Sequence, residues 1–108
     1  MATRIVNNED GIASPIRTFR INNLTTGDDS DLIYLPNGVR NVRAFGYGTA
    51  FSVDILGSPV PNRARHMVLA TVTNGVPTVP IPGPTGVSLQ VRATQTTGAV
   101  DVFLVCEV

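Results

Sequence analysis

The feature that most limits what this chain can fold into is a period of two in its apolar residues. Val87, Leu89, Val91 and Ala93 alternate with Ser88, Gln90, Arg92 and Thr94. After Thr96-Thr97-Gly98, the residues Val100, Val102, Leu104, Cys106 and Val108 alternate with Ala99, Asp101, Phe103, Val105 and Glu107. Successive side chains of a strand point to opposite faces, so this spacing predicts two strands joined by a turn, a C-terminal hairpin. In the second run the middle of the other face, Phe103 and Val105, is apolar as well. A strand buried on both faces is central in a two-layer structure or lies under another subunit.

The same pattern recurs upstream. Residues 16 to 24 predict a first strand with Phe19 and Ile21 on one face and Arg17 at that face's edge. Thr25 to Asp31 is a polar loop, and Leu32 to Leu35 is a short apolar segment closed by Pro36-Asn37-Gly38, where Asn and Gly tolerate a turn's positive φ. In residues 39 to 47, Val42 and Ala44 alternate against Arg43 and Phe45, and Gly46, Tyr47 and Gly48 form a corner. Phe51, Val53 and Ile55 face one way in residues 49 to 56, and Ser52 and Asp54 the other. A loop from Gly57 to Arg65 leads to a strand at Met67 to Thr73, and Asn74-Gly75 signals a hairpin. Residues 76 to 84 carry Pro77, Pro80, Pro82 and Pro84, which confines them to a sheet edge or an extended loop, because proline donates nothing to a ladder. They also have the composition of a Pro-rich ligand, and the edge explains them equally well. No window has a helical period. The expectation is therefore an all-β, antiparallel β-sandwich of jelly-roll type. It is a single domain over residues 16 to 108, preceded by a polar extended arm at residues 1 to 15; a frayed terminus is the alternative reading of those residues.

With 108 residues, 43% hydrophobic and 15% charged, the chain supports one core. Its charge is below the usual quarter, so the surface is Ser, Thr, Asn and Gly or is partly covered by a partner. Eight acidic residues balance eight basic ones, which argues against nucleic-acid binding. All eight basic residues are arginine, the better residue for interface ion pairs; genome bias explains the absence of lysine as readily. The start MATRIVNNED lacks the apolar core of a secretory signal, and no run is long enough to span a membrane as a helix.

Candidate chemistry is sparse. Cys106, the one cysteine, sits in an apolar run and reads as a small core residue. The one histidine, His66, is distant in sequence, so neither a nucleophilic pair nor a zinc site is assembled by motif. Asp28, Asp29 and Asp31 are hard oxygen ligands without the spacing of a calcium loop, and read as a solvated turn. Asp54 and Asp101 fall on outward strand faces. Arg63, Arg65 and His66 form the densest positive patch, suited to a phosphate or an acidic partner, or to nothing but solvent. Tyr34 and Tyr47 could stack on sugar rings. No catalytic, metal or cofactor site follows from these residues.

Two segments carry a resemblance. Residues 39 to 58 read VRNVRAFGYGTAFSVDILGS, and residues 88 to 108 read SLQVRATQTTGAVDVFLVCEV. Their order of strand and turn types resembles small β-sandwich virion proteins of tailed bacteriophages, including capsid decoration (cement) proteins and modules of tails and fibres. The resemblance covers about two thirds of the chain. It implies a non-enzymatic structural protein of the phage particle, made in the host cytoplasm. Such proteins are homo-oligomers, often trimers, that pack on the major capsid protein or another virion protein, with neither nucleic acid nor membrane as partner and no cofactor. On this reading the contact residues are Arg4, Ile5 and Val6 of the arm, able to add to a neighbour's sheet, and the apolar surface at Phe103 and Val105. The alternative is a carbohydrate- or receptor-binding module, for example of a tail or fibre, contacting its ligand through Tyr34, Tyr47, Asp28, Asp29 and Asp31.

Overall fold

A computed structural model describes residues 2–8, 16–34, 41–58, 67–81 and 88–107. Eleven strands run β1 Thr3–Arg4, β2 Val6–Asn8, β3 Ile16–Leu24, β4 Asp29–Ser30, β5 Ile33–Tyr34, β6 Asn41–Tyr47, β7 Ala50–Ser58, β8 Met67–Thr73, β9 Thr78–Ile81, β10 Ser88–Thr97 and β11 Val100–Glu107. They form two sheets. The first has the order β1-β4-β10-β7-β8, with β5 also on β10; the second has the order β2-β3-β11-β6-β9. The fold is an all-β sandwich of jelly-roll type, as the alternation predicts; of the expected N-terminal arm, residues 2–8 are extended and carry β1 and β2, and residues 9–15 lie outside the described residues.

The core lies between the sheets and is assembled by that alternation. Val100, Val102, Leu104 and Cys106 of β11, Val42 and Ala44 of β6 and Ile21 of β3 point inward from one sheet. Val53 and Ile55 of β7, Leu89, Val91 and Ala93 of β10 and Val72 of β8 meet them from the other. Each valine, leucine or isoleucine among them, fully withdrawn from water, contributes about 1.5–3 kcal/mol. Phe19 and Val6 pack against the cluster from its margin. Strand β11 is central in its sheet, paired with β3 and β6; its inner face lies in the core, and Phe103 and Val105 on its outer face are half-buried.

Several expected connections are different. The C-terminal pair is no hairpin: β10 belongs to the first sheet and β11 to the second. Alternation shows which face of a strand is buried, and says nothing of its neighbour. Gly98, at φ 75°, turns the chain from one layer to the other. Asn74-Gly75 likewise joins strands of different sheets, with Thr73 and Val76 exchanging backbone hydrogen bonds across it at 3.2 and 3.1 Å. Gly46 is inside β6 rather than at a corner. A Cβ there would stand 2.6 Å from the Phe51 ring and 2.9 Å from Val72, so the glycine admits the aromatic side chain into the core. The Thr25 to Asp31 loop contains β4, and the proline segment forms β9, an edge strand with Pro80 in it. Pro36-Asn37-Gly38, Pro82, Pro84 and the cluster Arg63, Arg65 and His66 lie outside the described residues.

Candidate functional site: an outward aromatic face beside a clamped arm

The outer face of the second sheet is read directly from its register. Asn7 is paired with Arg20, Arg20 with Phe103, Phe103 with Phe45, and Phe45 with Thr78. One row lower, Val105 lies between Thr18 and Arg43, and Arg43 is paired with Pro80. Phe45, Phe103 and Val105 are half-buried, while Tyr47 and Arg43 are exposed. The Tyr47 and Phe103 rings meet edge to face, with centroids 5.5 Å apart and planes at 88°, a favoured aromatic geometry. Beside them Asn41, Arg43, Phe45, Pro80, Val105 and Glu107 line a shallow depression of about 380 Å³. Phe103 and Val105 thus share a surface that also includes Phe45, Tyr47 and Pro80. Sequence reasoning placed Phe45 on the outward face of its own strand. Only the pairing of β6 with β11 sets it against Phe103.

The arm lies along this sheet. Its β2 pairs antiparallel with β3, while β1 pairs parallel with β4 of the first sheet, so the arm bridges both layers. The anchor is Asp28, only 3% exposed. Its Oδ1 accepts from the Ala2 backbone N–H at 2.9 Å. Its Oδ2 accepts from Arg4 Nε at 3.1 Å and Nη2 at 3.0 Å, and from the Thr25 backbone N–H at 3.0 Å and hydroxyl at 2.9 Å. The Thr3 hydroxyl donates to Asp29 Oδ1 at 3.0 Å. The Asp29 and Asp31 N–H groups donate to the carbonyls of Ala2 and Arg4 at 2.9 and 3.0 Å. The Thr25 N–H, then the Thr25 hydroxyl, Ala2 and Arg4 hold the Asp28 carboxyl far below the usual carboxylate range, against the opposing pull of burial. Hydrogen bonding to the charged form wins because five donors converge on one carboxylate.

This geometry reassigns several candidates. Arg4 and Val6, expected to meet a partner, serve the chain's own fold: Arg4 is bound to Asp28, and Val6 packs on the core opposite Ile21. Ile5, between the two arm strands, is 71% exposed. Asp28 is no solvated turn residue: it is buried and both its oxygens accept hydrogen bonds. Among the described residues no three His, Cys, Asp or Glu side chains are grouped to hold a metal. Asp54 accepts from the Thr71 hydroxyl at 2.9 Å and Asp101 from the Asn23 N–H at 3.0 Å, so both brace strands. Tyr34 projects outward from the first sheet, beside inward-facing Ile33, and Tyr47 from the second. They share no face. Cys106 is buried in the core.

No helix of the described residues is long and apolar enough to cross a membrane. No protein-family model and no curated protein matches the chain. Among solved structures it is similar to a cupin domain from Bordetella pertussis Tohama I, with 12% sequence identity and a TM-score of 0.56 over 99% of this chain and 96% of that one. That likeness shows the fold alone, a β-sandwich of jelly-roll type.

Proposed function

We propose that this chain is a non-enzymatic structural protein of a virus particle, a bacteriophage capsid decoration protein that docks on the major shell protein as a homo-oligomer. The observation that carries the reading is the outward face at Phe45, Tyr47, Phe103, Val105 and Pro80. Aromatic side chains with arginine beside them are the composition of interface hot spots. Here they stand on two paired strands of one sheet, in a protein whose described interior is aliphatic apart from Phe51. The phage context comes from the sequence resemblance, and the jelly roll is compatible with it, being an architecture shared by capsid proteins, lectins and cupins. The matching shell surface is apolar, entered by one or two side chains at the depression, with carboxylates at its rim opposite Arg43. Ile5 adds a second apolar contact from the arm, which its Asp28 anchor holds in place. The reading needs no cofactor. A sugar-binding platform built on both tyrosines is disfavoured by their placement on opposite sheets.

Quantitative mass spectrometry of gradient-purified particles from the phage that encodes the chain tests this reading. The expected result is an abundance in fixed proportion to the major shell protein. Tyr47→Ser, at an exposed position, is expected to lower that occupancy at least tenfold while lowering the melting temperature by only about 5 °C, the cost of one edge-to-face ring contact. Absence of the chain from the particles overturns the proposal.

A further inference from the structure

The edge of the first sheet carries a second, separate surface. Strand β8, Met67–Thr73, pairs with β7 on one side, and no strand among the described residues pairs with its other side. An open strand edge presents a row of backbone donors and acceptors to any chain that can pair with it, and folded proteins blunt such edges with charge, proline or bulges. The edge strand of the other sheet, β9, has Pro80. Strand β8 reads MVLATVT, with neither charge nor proline, and the turn after it adds Asn74, Gly75 and Val76. Of the six large hydrophobic side chains exposed among the described residues, Met67, Val68 and Val76 fall within this stretch. Among the described residues the one protective device is a register irregularity against β7 between Val68 and Ala70; beyond it Ala70 to Thr73 pair regularly.

We infer that β8 is a self-pairing edge, on which a second copy of this chain adds its own β8 antiparallel about a twofold axis. The argument for a second copy is self-complementarity. A twofold axis normal to the sheet keeps each inward face inward, and centred on Thr71 it sets Thr71 against itself and Ala70 against Val72. Thr71 is on the exposed face, and Ala70 and Val72 are on the core side. Every pair across the axis is neutral and no like charges are opposed, with each Thr71 hydroxyl keeping its bond to Asp54 of its own copy. The two first sheets then form one continuous sheet, and Met67, Val68 and Val76 of both copies lie beside the seam. This surface is on the sheet opposite to the aromatic face, so pairing here leaves that face open.

The experiment is oxidative cross-linking of the full chain carrying Thr71→Cys, alongside light scattering of the wild type on a sizing column. Directly opposed residues of an antiparallel pair stand about 4.5–5.5 Å apart at Cα, within disulfide reach. Thr71→Cys is expected to form a covalent dimer at least tenfold faster than Ala99→Cys, an exposed turn position, and native Cys106 is buried. The wild type is expected to run at an even multiple of the 11.4 kDa chain mass. A wild type of one-chain or three-chain mass at tens of micromolar, or cross-linking of Thr71→Cys no faster than of Ala99→Cys, overturns the inference. Neither result bears on particle occupancy, so this proposal and the decoration reading fail separately.

Discussion

Leu104 and Asp28 are almost equally withdrawn from water, at 0% and 3% exposure, and opposite physics keeps them there. Leu104 is held by aliphatic neighbours arriving from both sheets, with no directional bond required. Asp28 is held by five donors from Ala2, Arg4 and Thr25, each aimed at a carboxylate oxygen. The first kind of burial is tolerant in detail and large in sum. The second is directional, and fails abruptly when a partner is lost, because the groups left behind are stranded without water. The comparison also separates tasks: the interior holds the sheets together, and the clamp fixes where the arm lies.

The largest expected effect comes from the interior. Leu104→Ala opens a cavity among side chains of both sheets and is expected to cost about 2–5 kcal/mol, as buried leucine truncations do. Urea unfolding monitored by circular dichroism measures it, and the loss should be global, with one transition at a lower midpoint. A cost under about 1 kcal/mol would mean that the sandwich relaxes around the gap, unlike other packed interiors.

Asp28→Ala probes the other kind of burial. It strips the acceptor from five donors and is expected to cost about 2–3 kcal/mol. Hydrogen exchange should locate the loss: the Asp29 and Asp31 amides, paired to the arm, lose protection first, while the β11 amides follow only the global change. The same residue gives a pH signature. Its folded-state pKa is depressed below the ordinary value near 3.9. Its contribution is therefore complete above about pH 5 and is lost as pH falls through the unfolded value toward the folded one. The stability gap between wild type and Asp28→Asn is expected to be constant from pH 5 to 7 and to narrow steadily below pH 4. A gap that widens in acid would contradict the charged clamp.

The two regions were also unequally legible in the sequence. The bounds of β3 and β8 and the inward set of β7 follow from alternation, because a strand's buried face is a local property. The pairing of β10 and β11 with other partners was not legible, since a Thr-Thr-Gly turn serves a hairpin and a change of layer alike. At Asp28, the local half of the clamp had a signal: Thr25 is three residues upstream, the spacing at which an acid reaches back to the N–H of a Ser or Thr in a capping box. The distant half had none. Arg4 is 24 positions away, and nothing in the composition of residues 1 to 15 marks which of its polar groups meets which acid. Phe45 became part of the candidate surface only through the register of β6 on β11. The aromatic face is thus a product of topology, whereas Phe103 and Val105 alone were visible as a second apolar face.

The smallest effect sharpens the comparison most. Arg4 is 37% exposed at its side chain, against 4% for its partner, so the pair is buried at one end only. Water screens the guanidinium, and such half-exposed pairs contribute about 0.5–1 kcal/mol. Arg4→Met keeps the aliphatic stem, removes the charge and leaves Asp28 with its Thr25 and Ala2 donors. Its expected cost is therefore below about 1 kcal/mol, well under that of Asp28→Ala. In a double-mutant cycle the two substitutions should couple by roughly the cost of Arg4→Met itself, since the guanidinium has no role once the carboxylate is gone. A cost for Arg4→Met as large as for Asp28→Ala would show that the ion pair, rather than the convergence of backbone and hydroxyl donors, anchors the arm. In that case the arm would be released by salt, and the order of strength at the clamp would be reversed from charge assisting hydrogen bonds to hydrogen bonds assisting charge.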